Sequence, residues 1–143
     1  MNQLGFAIAN IRTTEFAILK ENFSGEIDAE FGTAFRIGAN NEETFIAIHF
    51  EVQFLSKEKT VIKLAVECAF DIEEKSFASF LNEKNQELSI PGGFCRHLAV
   101  ITVGTARGIL HEKLNDTDFE EVILPSINVT EHIQEETVIL KSK

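Results

Sequence analysis

Thr44-Phe45-Ile46-Ala47-Ile48-His49-Phe50-Glu51-Val52-Gln53-Phe54 is followed, beyond Leu55 and the polar run Ser56-Lys57-Glu58-Lys59, by Thr60-Val61-Ile62-Lys63-Leu64-Ala65-Val66-Glu67-Cys68-Ala69-Phe70. In the first stretch the even positions Ile46, Ile48, Phe50, Val52 and Phe54 are all apolar, and the odd positions are mixed. In the second, Ile62, Leu64, Val66, Cys68 and Phe70 alternate with Lys63, Ala65, Glu67 and Ala69. A period of two marks a strand with one buried face. Two such runs joined by so short a polar link make an antiparallel hairpin.

Upstream, Thr33–Gly38 reads as a shorter strand with Phe31, Thr33, Phe35 and Ile37 on one face, and Asn40–Glu43 supplies the turn. The apolar phase at Phe6, Ile8, Ile11, Phe16 and Ile18 slips by one residue and then slips back. A single bulged strand or two short strands would produce that slip equally well. Downstream, Ile90-Pro91-Gly92-Gly93 breaks the chain. From Phe94 to Leu110, Phe94, Leu98, Ile101, Thr105 and Ile109 recur at helical spacing, and Ala99, Val100, Val103, Gly104 and Ala106 fill the other side. A helix apolar nearly all round must be covered on more than one side, and one sheet covers only one. We therefore expect Phe94, Leu98, Ile101, Thr105 and Ile109 at a subunit interface; burial under the C-terminal segment would satisfy the same pattern. A short helix follows Leu124-Pro125-Ser126-Ile127-Asn128, capped by Ser126 or Asn128 with Glu131 in its first turn. The tail, polar apart from Val138, Ile139 and Leu140, reads as loosely held. The expected architecture is α+β, a four-stranded antiparallel sheet packed with two helices, in one domain spanning residues 1–143.

Lys and Arg number 13 and Asp and Glu 23, a net charge of −10. That charge repels a nucleic-acid backbone or an anionic membrane and suits basic or apolar partners. All 13 aromatic residues are Phe, with no Tyr or Trp to supply a phenol or an indole. The N-terminus lacks a basic and apolar leader pattern, and Cys68 and Cys95 read as reduced, buried thiols, so a cytoplasmic location is expected. No catalytic, cofactor or metal constellation emerges. His49, His97, His111 and His132 are scattered, and Cys95 and His97 fall on different helix faces. The glycines of Gly104-Thr105-Ala106-Arg107-Gly108 have no nucleotide-binding spacing. The expectation is a non-enzymatic binding module without cofactor. Phe23, Phe45 and Ala47, apolar residues off the regular core face, are candidates for a client groove. A rival reading is a small-ligand domain with its pocket around His49 and Glu51.

Taken in order, these pieces resemble the SecB family of export chaperones. Phe6–Phe16 is similar to the family's opening strand, and Thr60–Ile72 to its fourth. Arg96 and the Arg107-Gly108 pair stand where the family's interface helix carries an arginine near its start and an Arg-Gly near its end. Leu124–Asn128 corresponds to the run before the last helix. The resemblance implies a homotetramer built as a dimer of dimers, ATP-independent holding of unfolded polypeptides, and delivery to the SecA motor. It also implies motor docking through Glu15, although Leu19 and Ala65 stand where further acids are expected. Pro91-Gly92-Gly93-Phe94 replaces the family's usual run before the helix. Dedication to a single partner such as an antitoxin is the alternative within the same resemblance.

Overall fold

Even-numbered side chains of paired strands project to one side, and β3 (Phe45–Ser56) and β4 (Lys59–Ile72) use that rule. They pair antiparallel with Ile48 opposite Cys68 and Val52 opposite Leu64, and their even residues are buried from Ile46 to Ser56 and from Ile62 to Ile72. The turn between them holds Lys57 and Glu58 at positive φ, 48° and 69°. A two-residue hairpin loop of that hand normally calls for Asn or Gly. Here the Asp28 carboxylate compensates by accepting the N–H groups of Lys57 at 2.9 Å and Glu58 at 3.1 Å.

The computed structural model describes residues 5–82, 84 and 86–141; the N-terminal residues 1–4 and the last two of the tail lie outside them. β1 (Phe6–Ile18) is one long strand against β4, with its register shifted between Ile8 and Asn10 and again between Thr13 and Glu15. Those two bulges are the origin of the phase slip in the sequence. β2 (Phe31–Asn40) pairs with β3 without interruption, and the strand order is β1-β4-β3-β2. The α+β architecture with a four-stranded antiparallel sheet is as expected.

Three elements after β4 were not read from the sequence: α1 (Glu74–Phe80), β5 (Leu81–Asn82) and β6 (Glu87–Pro91). The long helix α2 spans Gly92–Leu114, two residues earlier and four later than its apolar period indicates. It lies across β3 and β4 and presses Cys95, Leu98, Thr102, Ala106 and Leu110 into the core. The buried Thr102 hydroxyl donates to the Leu98 carbonyl at 2.9 Å, so the helix absorbs its own polar group. No helix among the described residues is long and apolar enough to cross a membrane.

The C-terminal third runs back along α2 and is held by arginines. Arg107 donates to the Leu124 and Pro125 carbonyls at 2.8 and 3.0 Å, and Arg96 to those of Ile133 and Glu135 at 3.0 and 3.2 Å. Between these anchors Asn128 caps α3 (Val129–His132) by accepting the Thr130 N–H at 3.1 Å. The tail is not loose as far as Lys141. Residues Thr137–Lys141 form β7, which pairs with β6 in a small sheet of order β5-β6-β7. Val138 and Leu140 lie opposite the buried Ile90 and Leu88, which gives the strand an apolar side to bury.

Two predictions follow from this packing. At Gly92 an added Cβ would run into the Glu135 carbonyl, at the point where the Gly92 N–H donates to Glu136 O at 2.7 Å. Gly92→Ala should cost about 1–3 kcal/mol and speed hydrogen exchange in β7 while leaving β3 protected. The second concerns Cys95, fully buried, whose thiol is pushed up to about 11 by desolvation. Well below pH 9 the thiol is protonated in the folded and the unfolded chain alike. Between about 9 and 11 the unfolded chain releases a proton that the folded chain retains, so stability falls as pH rises. Urea denaturation should show Cys95→Ala losing less stability than the parent across that window, by on the order of 2–3 kcal/mol in full.

Candidate functional site

On the helix side of β2, Phe31 packs against Phe54 with ring centroids 5.7 Å apart, and Phe35 against Phe50 at 4.9 Å. His132 closes over Phe35 at 5.1 Å, and its Nε2 lies 3.0 Å from the Thr33 hydroxyl. Past His132 the chain draws away from β2 to become β7, and a groove opens between the two strands. Phe35, Ile37, Ile133, Val138, Ile139 and Leu140 line it, with His132 and Glu135 at one end, and its volume is about 470 Å³. Beyond Ile37 and Leu140 it continues into a second hollow of about 510 Å³, which ends at Asn41, Glu42 and Lys141. Ile139 is 58 % exposed on its wall.

The opposite flank of the sheet is also incompletely covered. Phe6 is capped by Phe94 at 5.5 Å and by His97 at 5.6 Å, and the Lys113 ammonium stands 5.7 Å over the Phe16 ring. α2 therefore runs alongside β1, with its N-terminal end at Phe6 and its C-terminal end at Phe16. On its face away from the core the helix carries Gly104 and Gly108, and an added Cβ at either would meet nothing within 4 Å. Ile8 and Ile11, which pair with the buried Phe70 and Cys68 and so point to the helix side, remain 45 % and 48 % exposed. Val100, 56 % exposed, adds to the uncovered apolar surface of the helix.

The outer face of the sheet is polar and close-paired. Arg12 meets Glu67 at 3.2 Å, and Lys63 bridges Glu15 at 3.1 Å and Glu51 at 3.0 Å. Hydrogen bonds to Glu51 and then Glu15 raise the Lys63 ammonium above its ordinary value. A depression of about 520 Å³ on this face is lined by Thr14, Glu15, Ala34, Arg36, His49, Glu51 and Ala65. Desolvation lowers the His49 imidazole, reinforced by the Arg36 charge, and Glu67 and Glu51 oppose the shift. His49 and Glu51 are thus members of a surface charge lattice rather than the lining of a pocket under the helix. Among the described residues no group of three His, Cys, Asp or Glu is placed to hold a metal ion.

The structure does not bring Phe23, Phe45 and Ala47 together. Phe23, 39 % exposed, lies edge-on to Phe119 at 5.1 Å, beside the Ser24–Ser56 contact at the hairpin end of the sheet. Phe45 and Ala47 are half-buried at the far end of β3, roughly 35 Å away along the strand. Their odd positions put them on the outer face. Of the helix residues expected between subunits, Phe94 and Leu98 are buried in the chain's own core, and Ile101, Thr105 and Ile109 are half-buried at its margin. Glu15 is exposed but tied to Lys63. The groove was not anticipated, although its walls were visible as the Phe31-Thr33-Phe35-Ile37 alternation and the Val138-Ile139-Leu140 triplet.

No family model and no curated protein matches the sequence. Among solved structures, the chain is similar to a SecB-like chaperone of Mycobacterium tuberculosis in complex with a ChAD peptide from an antitoxin. That match has 9 % identity, covers 86 % of this chain and 91 % of the other, and has a TM-score of 0.49. A protein of unknown function from Streptococcus agalactiae matches at 12 % identity over 87 % of this chain and 100 % of its own, with a TM-score of 0.35.

Proposed function

We propose that this chain is a nucleotide-independent holder of non-native polypeptide, in the manner of the SecB family it resembles in sequence. The observation that carries this reading is the apolar groove between β2 and the C-terminal segment, open to solvent and walled by Phe35, Ile37, Ile133, Val138, Ile139 and Leu140. An extended segment that buries a Leu, Ile or Phe side chain there gains roughly 1.5–3 kcal/mol for each. A few such side chains give reversible capture of many sequences, which is what holding requires. Glu135 and Glu42 at the two ends, together with the −10 charge, favour basic clients and speed their encounter. The chain is no enzyme in this reading, because the groove needs no reacting group to do its work. In the resembled family such holding keeps preproteins ready for export, with Glu15 as the point of contact for a motor. Two buried free thiols fit a reducing compartment, the cytoplasm.

The uncovered flank of β1 and α2 suits a second copy. Ile8, Ile11 and Val100 are exposed apolar residues, and the two glycines on the outward face of α2 let another backbone approach the helix closely. Pairing there would build the oligomer, a tetramer if two dimers join, from a helix face other than the one buried in the chain's own core.

Two experiments test these readings. The chain at stoichiometric ratio, without nucleotide, should suppress the light scattering of a chemically denatured enzyme diluted into buffer; unchanged scattering at tenfold excess refutes holding. Ile139→Asp, on an exposed wall position, should alter stability by no more than about 0.5 kcal/mol yet weaken suppression several-fold. In size-exclusion light scattering the parent should exceed the 16.0 kDa of one chain, and Ile11→Glu with Val100→Glu should reduce it to that mass. A parent already at one-chain mass at micromolar concentration refutes the self-association surface.

A further inference from the structure

Edge strands present a row of main-chain N–H and C=O groups without partners, and folded chains disguise them with bulges, charge or brevity. The two edges of the four-stranded sheet are treated differently. β1 is interrupted at two places, near Ala9 and near Thr14. β2 keeps unbroken register with β3 over the ten residues Phe31–Asn40, and its other edge, unpaired in the sheet, borders the groove. Across the groove stands β7, itself the edge of the small sheet. Among the described residues neither strand makes a main-chain hydrogen bond outside its own sheet.

The direction of the two strands matters. His132 sits at Thr33 and Phe35, Val138 and Ile139 line the groove with Phe35 and Ile37, and Leu140 and Lys141 reach its far end with Asn40 and Glu42. β2 and β7 therefore advance the same way along the groove without pairing with each other. One extended chain running opposite to both would form antiparallel ladders on both sides, the more stable kind of pairing per residue. Alternate amides of such a chain would point to β2 and to β7, and every second side chain would fall on the apolar floor. The ends fix the rest of its chemistry. Glu135 closes one end and Glu42 the other, and neither takes part in the ion pairs of the described residues; Lys141 is the one Lys or Arg in the lining.

The geometry points to a client segment that binds as a β-strand between β2 and β7, apolar at alternate positions and basic at its flanks. It would join the two sheets into one of order β1-β4-β3-β2-client-β7-β6-β5. This rests on the holding function proposed above and adds the mode: the client main chain supplies much of the attachment, which tolerates variation in sequence, and side-chain alternation with flanking charge supplies the selection.

Backbone methylation separates this mode from side-chain capture. The probe is the peptide acetyl-Lys-Ile-Thr-Val-Thr-Val-Thr-Ile-Lys-amide, titrated against the full chain. Two derivatives carry N-methyl groups, one on alternate residues and the other on the intervening ones. Each should bind at least tenfold more weakly than the parent peptide, and the parent should slow hydrogen exchange in β2 and β7 together. Loss in only one derivative means that a single edge is used and overturns the bridging strand. Equal binding of all three peptides, or no binding of the parent while aggregation is still suppressed, overturns the strand and leaves holding intact. No binding and no suppression refute the holding function itself. Slow exchange in β2 and β7 before peptide is added, lost on dilution, would assign the groove to a second copy and overturn the proposal.

Discussion

A helix about 10–12 Å across can cover about two strands spaced about 4.8 Å apart, and this sheet has four. α2 lies over the central pair, β3 and β4. The helix-side faces of β1 and β2 must therefore be covered by something other than α2, or remain open. Nearly everything that distinguishes this fold follows from that shortfall. The even-position face of β3 and β4 is an ordinary closed core; the chemistry of interest lies on the strands to either side of it.

The two flanks meet the shortfall by different means. On the β1 side the helix reaches over chiefly at its ends, through His97 and Lys113. That leaves Ile8 and Ile11 uncovered, on a strand whose bulges spoil its edge for further pairing. On the β2 side the cover is the returning C-terminal segment, and its position is set at the start of α2. Arg96 holds the Ile133 and Glu135 carbonyls, and the missing side chain at Gly92 lets the segment come close enough to accept its N–H. The arginine also resolves a polar problem, since an irregular segment laid against a core would otherwise leave carbonyls without donors. Held there, the segment covers Thr33 and Phe35 through His132 and then stands off from Ile37 onward. The groove is the distance between a strand fixed by the sheet and a strand fixed by the helix.

How much of this was legible follows from the range of each interaction. Strict alternation at Ile46–Phe54 and Ile62–Phe70 names the core face directly, because strand periodicity is local and both strands are central. The slip around Ile11 signalled an irregular β1 but not its form, since a bulge and a chain break shift the phase alike. The helix was visible as apolar spacing; its facing was not. Phe94, Leu98, Ile101, Thr105 and Ile109 trace a slanted row that begins on the core side and leaves it, whereas the buried face follows Cys95, Leu98, Thr102, Ala106 and Leu110. Small residues on both sides give the sequence little to choose between them. The small sheet and the groove escaped for a stronger reason. β7 has five residues and its partner β6 lies almost fifty residues earlier, so neither carries enough local pattern to announce the pairing. Phe45 and Phe23 are both apolar and off the core period, and their positions at opposite ends of the sheet are a separation that only tertiary placement reveals.

Charge placement bears on why an apolar groove can stay open. The outer face of the sheet largely neutralises itself through Arg12, Glu67, Lys63, Glu15 and Glu51. The uncompensated acid lies elsewhere. Residues 115–136 contain Asp116, Asp118, Glu120, Glu121, Glu131, Glu135 and Glu136 and neither Lys nor Arg. Within that stretch Asp118 is held by Lys20 at 2.8 Å. This is the segment that runs back along α2 and ends at the groove. Like charge concentrated beside an apolar surface opposes the approach of a second identical surface, because two such segments repel before their grooves can touch. A basic unfolded chain meets the opposite force. The same carboxylates therefore oppose contact between two copies of the groove and, in the function proposed, favour a basic client, by long-range interaction rather than by adding to the apolar walls.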